Sequence, residues 1–299
     1  MELARRDFLG LAAGAAAAGV IPAARAADAK GRILFGACRP LGEAKLLKSI
    51  GYDFIEGGVG SCFVPEKGEE AWKRLKEQIL GLAVPLRSCA GFLPASLRLT
   101  GPKADHEKAL AYAEKALRRA DEVGVPSIVF GSGGARNVPG DFCGKNRPDV
   151  EKGVRQYVEF CKKLCERVKD LKTVQVVVEP LRANESNIIN FVWQGVAIVR
   201  EVNSPRLRQL ADIYHMIAGG EGPESIVRAG DLLRHCHIAA PKTRQYPGSG
   251  KDDAAVLKPY VEALRTIGYT GGLSCECGWG PKKETAKNLE KALALLKSL

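Results

Sequence analysis

Histidine is scarce in this chain of 299 residues, with four copies, and aromatic residues make up only 6%. The nine cysteines include no CxxC pair, which leaves a cysteine-based zinc site nothing to build on. Their odd number argues against a closed disulfide framework, and most lie in apolar runs where buried thiols belong. No apolar stretch reaches the roughly 20 residues that span a bilayer. The first strand-like run ends Gly36-Ala37-Cys38-Arg39-Pro40, so the GxGxxG turn of a dinucleotide fold is missing. What the chain does have is 45% hydrophobic and 26% charged residues, the balance of a globular protein with a sizeable core.

The N-terminus reads as an export signal. Arg5 and Arg6 precede Asp7, Phe8 and Leu9, a charge-free apolar run covers residues 9–21, and Ala24-Arg25-Ala26 offers a small-x-small cleavage site. That order predicts a twin-arginine signal over residues 1–26, a periplasmic or otherwise exported product, and one working domain over residues 27–299. Without the signal, 42 basic residues stand against 32 acidic ones. The lysines and arginines are scattered beside glutamates with no aromatic residues between them, as on a solvated helix face, so nucleic acid is not expected as a partner.

Short runs rich in Val, Ile and Leu alternate with longer stretches of helical period as far as the C-terminus. Strands are predicted at 32–38, 53–56, 85–90, 127–131, 173–179, 207–212, 233–238 and 272–276. Helices are predicted at 42–50, 69–81, 105–123, 149–169, 192–202, 223–230, 253–267 and 284–297. Eight such alternations, at about 33 residues each, predict an α/β fold with a single (β/α)8 TIM barrel.

In that architecture the working residues stand at the C-terminal ends of strands. Four apolar runs end in a polar residue of the same kind of chemistry: Val176-Val177-Val178 in Glu179, Leu210-Ala211 in Asp212, His235-Cys236 in His237, and Leu273-Ser274-Cys275 in Glu276. Three carboxylates and an imidazole gathered at one rim would repel or neutralise one another unless a divalent cation joined them. The donor set suits Mn²⁺ or Mg²⁺ and also admits Co²⁺ and Zn²⁺.

These stretches, with Asn184-Glu185-Ser186-Asn187, Tyr214-His215-Met216, Tyr246-Pro247-Gly248-Ser249-Gly250, Phe92-Leu93-Pro94, Leu99-Thr100-Gly101-Pro102, Gly131-Ser132-Gly133 and Ala135-Arg136, resemble the xylose isomerase-like barrel family, in its sugar phosphate isomerase/epimerase branch. The resemblance implies that Glu179, Asp212, His237 and Glu276 bind one divalent metal ion, with Glu179 and Glu276 also serving as the catalytic acid/base pair. It further implies that His215, Glu185 and Arg244 bind substrate. One departure stands out: Ala240 follows His-Ile-Ala where relatives often carry an acid.

The chemistry expected of such a site is enolisation. A metal that binds a carbonyl and a neighbouring hydroxyl acidifies the C–H between them, one carboxylate removes the proton, and the metal stabilises the enediolate. Return of the proton from the opposite face epimerises the carbon; return to the next carbon isomerises the sugar. The same site could act as a lyase or hydratase on 3-keto-glycosides, or bind a sugar without turnover. The expected partners are a small carbohydrate or keto-sugar, with no membrane once the signal is removed and with room for a homo-oligomer.

Other polar residues read more simply. His235 lies one layer below His237 and suits a hydrogen-bonded supporting role. His106, at a helix start, reads as surface. Glu56 ends the second strand, where it could reach substrate or pair with Arg39 or Arg87. The glycines of 131–134 could cradle phosphate but lack a P-loop lysine. Phe63, Trp193 and Trp279 read as core, with a sugar wall as the alternative.

Overall fold

The computed structural model describes residues 31–140 and 149–299; the export signal predicted over 1–26 lies outside them. Eight parallel strands close into a barrel in chain order. They are β1 (Leu34–Cys38), β2 (Phe54–Gly58), β3 (Leu86–Ala90), β4 (Ser127–Phe130), β5 (Gln175–Val178), β6 (Leu207–Asp212), β7 (Leu233–Ile238) and β8 (Gly272–Cys275), with β8 returning to pair with β1. The predicted (β/α)8 barrel is the fold observed.

Helices connect the strands: α1 (Ala44–Ile50), α2 (Val59–Cys62), α3 (Glu69–Leu80), α4 (His106–Glu122), α5 (Gly133–Arg136), α6 (Val150–Arg167), α7 (Val192–Val202), α8 (Ile213–Ala218), α9 (Glu224–Ala229), α10 (Asp253–Thr266) and α11 (Thr285–Ser298). The longest two start on side-chain caps. Asp105 accepts the Lys108 N–H and Asp149 the Lys152 N–H, which satisfies donors that a helix start leaves open. In α4, Ala109, Leu110, Ala113, Ala116, Leu117 and Ala120 recur at helical spacing and are buried against the barrel. Among the described residues no helix is long and apolar enough to cross a membrane.

The outward faces of the strands meet the helices in one large core that takes in Cys236 and Cys275, and the eight described cysteines are all free. The barrel interior is divided. On the β3–β6 side Val129, Val177 and Leu210 form a fully buried apolar trio against Ala90. On the β7–β8–β1–β2 side the lining is polar. There Glu56, Ser274, His235 and His237 are buried and Cys38 is half-buried. Phe54 lies beneath that polar group. A Cβ on Gly36 would fall 2.2 Å from its ring and one on Gly272 would fall 2.8 Å from it, so these two glycines leave the space the ring occupies.

Candidate active site

Each of the four strand-end residues is fixed by its own local structure. Glu179 follows β5, is 4% exposed, and donates its backbone N–H to the Phe130 carbonyl. A Cβ at Gly131 would lie 2.2 Å from its Oε2, so this glycine admits the carboxylate. Asp212 ends β6 and caps α8 by accepting the His215 N–H at 3.1 Å. His237 sits inside β7, and Glu276 directly follows β8.

One donor atom from each of Glu179, Asp212, His237 and Glu276 lies within 4.8 Å of the others. His237 Nδ1 faces the carboxylates, at 2.9 Å from Glu179 Oε1, 3.6 Å from Glu276 Oε2 and 3.8 Å from Asp212 Oδ2. The electrostatics carry the mark of crowding. Burial, reinforced by the charges of Glu179, Asp212 and Glu56, pushes the Glu276 carboxyl up to about 7 against the pull of His237. Burial works against a charge on His237, yet Glu56, Glu276 and Glu179 hold its pKa well above the imidazole range. Three carboxylates gathered around an imidazole, one of them pushed toward its protonated form, make a donor set that fits a divalent cation. A second group, Cys38, Glu56 and His237, also brings donor atoms within the same distance.

Glu56 departs from expectation. Arg39 pairs with Glu43, while Glu56, fully buried, faces two imidazoles: its Oε2 is 2.8 Å from His235 Nε2 and its Oε1 is 2.9 Å from His237 Nε2. Burial would raise its pKa, but the two histidines more than offset this and hold it far below the carboxylate range. His235 takes the supporting place expected of it, and burial lowers its pKa.

The predicted substrate-side residues form the rim. Arg244 donates to Glu185 Oε1 at 2.8 Å and to Glu276 Oε2 at 2.9 Å. The buried His215 sets Nε2 3.6 Å from Asp212 Oδ2 and 4.0 Å from Glu185 Oε2. Sequence reasoning passed over Arg182, which donates to Glu185 Oε1 and to the Tyr214 hydroxyl. The guanidiniums of Arg182 and Arg244 lie 5.3 and 5.0 Å from the Tyr214 ring centre. Ala240 adds no side chain to the rim; it is buried, and its backbone closes a turn by bonding Gln245 O and Arg244 N. That turn holds Arg244 at φ 54°, a left-handed conformation uncommon for a residue with a Cβ.

Arg136 is a further residue whose role the sequence did not reveal. Its fully buried guanidinium donates to the carbonyls of Phe130, Glu179 and Ile189 and to Ser186 Oγ, tying the ends of β4 and β5 together beneath the Glu179 side chain. Phe63 is core, against Trp72. Trp279 is buried and stacks on Tyr246 with planes 4° apart, flanked by Arg39 and Lys291, while Trp193 stacks on Phe191. His106 is half-buried rather than superficial, since its ring bonds the Leu99 carbonyl and meets Phe160 edge-on.

The sequence model of the xylose isomerase-like TIM barrel family matches residues 44–299. The chain belongs to that family. This xylose isomerase-like barrel is 28% identical to the L-ribulose 3-epimerase of Methylomonas sp. over 171 residues, 56% of each chain. It is 27% identical to the fructoselysine 3-epimerase of Escherichia coli O157:H7 over 245 residues, 76% of this chain and 81% of that one. The chain thus spans little more than half the length of the first of these relatives. Among solved structures, the 3-keto-D-glucoside 4-epimerase of E. coli shares its fold with a TM-score of 0.74 at 21% identity, covering 90% of this chain and all of the other.

Proposed function

We propose that this barrel is a divalent-metal-dependent sugar epimerase acting on the carbon beside a carbonyl of a ketose or keto-glycoside. The observation that carries the reading is the convergence of Glu179, Asp212, His237 and Glu276, one donor atom each within 4.8 Å, at the C-terminal rim of the barrel. The 3-epimerase relatives support the reaction class. These four residues would hold the ion. When bound, a divalent cation supplies Lewis-acid polarisation of a carbonyl and offsets charge that develops on its oxygen.

The chain's own residues do the rest. Glu179 and Glu276 come from β5 and β8; one takes the proton from the carbon beside the carbonyl and the other delivers a proton to the opposite face. Arg244, Glu185 and His215 hold substrate hydroxyls, and the two hydrogen bonds from Arg244 link the substrate side of the rim to Glu276. The twin-arginine pattern supports export, with residues 27–299 as the working domain.

The test is incubation of manganese-loaded protein with a panel of ketoses and 3-keto-glycosides in D₂O. Deuterium should enter at the carbon beside the carbonyl, accompanied by the epimer. Release of free aglycone without epimer would identify a lyase. Sugar binding with no exchange on any panel member, with the ion in place, would refute an enzymatic role.

A further inference from the structure

The two clusters able to hold a cation share His237, and an imidazole offers each cluster a different nitrogen. We propose that Glu56 and His235 are a positioning pair that fixes His237 with Nε2–H turned inward and Nδ1 turned toward the rim, so that the ion sits among Glu179, Asp212, His237 and Glu276 and not at Cys38. The inference rests on the metal reading above and adds what selects the site.

The argument starts from Glu56, which is fully buried in the polar half of the barrel. A carboxylate accepts hydrogen bonds and donates none, so each of its oxygens requires an N–H opposite. His237 Nε2, 2.9 Å from Oε1, must therefore carry hydrogen. Nδ1 points the other way, 2.9 Å from Glu179 Oε1 and facing Asp212 and Glu276, and with Nε2 committed to Glu56 it is the nitrogen that a cation among those carboxylates would use. His235 Nε2, 2.8 Å from Oε2, engages the other oxygen and stops the carboxylate from rotating away. His235 is in turn set from below. The Phe54 ring meets it edge-on at 6.1 Å, and a Cβ on Gly272 would press to 3.1 Å from its Nδ1. The Cys38 thiol lies 3.6 Å from Ser274 Oγ, a contact that gives it a neighbour other than a metal. An ion held by Cys38, Glu56 and His237 Nε2 would have to displace the Glu56–His237 hydrogen bond, and would find three donors where the rim offers four.

Two kinds of measurement on the full chain decide the matter. In zinc-loaded protein labelled with ¹⁵N-histidine, long-range ¹H–¹⁵N spectra should show His237 as the Nε2–H ring; an Nδ1–H ring with Nε2 on the metal would overturn the proposal. Calorimetric titration of metal-free protein with Mn²⁺ should show Glu56→Gln weakened about 10- to 100-fold, because an amide accepts from one ring and turns a donor toward the other. His235→Gln, which keeps a donor, should stay within about threefold of the unsubstituted protein, and Cys38→Ser within about twofold. Unchanged affinity in a folded Glu56→Gln, or a loss of about tenfold or more in Cys38→Ser, would refute the pair's role. Should Glu56→Gln fail to fold, His235→Leu decides, with about 3- to 10-fold weaker binding expected and unchanged binding counting against. If the unsubstituted protein takes up no Mn²⁺, the metal reading itself fails and this inference with it. Normal uptake with an indifferent Glu56→Gln overturns only the inference.

Discussion

The two halves of the barrel interior are built for different tasks. Under Glu179 and Asp212 the floor is dry: Val129, Val177 and Leu210 pack on Ala90 and offer no polar atom from their side chains. Under His237 and Glu276 the floor is a hydrogen-bonded group of His235, Glu56, Ser274 and Cys38. The difference follows from the residues above. Asp212 is aimed by its local backbone, through the cap on α8, and Glu179 stands on a strand end that Arg136 ties down from the main chain. An imidazole has two nitrogens that can exchange roles, and only a partner below can assign them.

The contrast can be broken most severely at the proton-transfer groups. Glu179→Gln and Glu276→Gln should each cut deuterium exchange into substrate by about 1,000-fold, a size within the range for a lost acid or base. Metal-free Glu276→Gln should be at least as stable to heat as the unsubstituted protein above pH 7, because the amide imitates the protonated carboxyl that the folded site prefers. A lowered Tm would show that the crowding is harmless.

The dry half should answer in stability instead. Leu210→Ala removes buried methyl groups and should cost about 3 kcal/mol in urea unfolding, while Mn²⁺ affinity stays within about twofold. A large loss of affinity with little loss of stability would erase the division of labour.

The mildest probe is pH. A carboxyl raised to about 7 holds its proton more tightly in the folded protein than in the unfolded chain. It therefore favours folding fully below about 4.5, and that contribution is lost as pH climbs toward 7. Bound metal must displace this proton and the one that the raised pKa keeps on His237. Mn²⁺ affinity should rise between pH 6 and 8 by up to about tenfold per unit for each proton released, and calorimetry in buffers of different ionisation heat counts those protons. A flat profile would mean that the polar half does not feel the crowding.

Much of this was readable from the chain. The strand at Leu207–Asp212 and the helix at Val192–Val202 fall where periodicity puts them, because each is bounded by a clear change of pattern. The four strand-end residues were legible because a barrel brings strand ends together whatever the loops do. The partner of Glu56 was not, since it depends on which residues of β2 and β7 meet across the barrel, a matter of closure and stagger that local spacing does not encode. Arg136 escaped for a related reason: three of its four partners are carbonyls, and sequence carries no signal for a main-chain acceptor. Arg182 stood in plain view between Glu179 and Glu185, but its bond to the Tyr214 hydroxyl required the placing of α8.

The parallel stack of Tyr246 on Trp279 bolts the segment that follows β7 to the one that follows β8, and Lys291 from α11 closes over its outer side. Gly278 N donates to Arg244 O across the same seam, so the arginine at the rim is already at its post before any ligand arrives. A visiting ligand then freezes little that was free, and its binding should carry only a small ordering entropy from this side of the mouth.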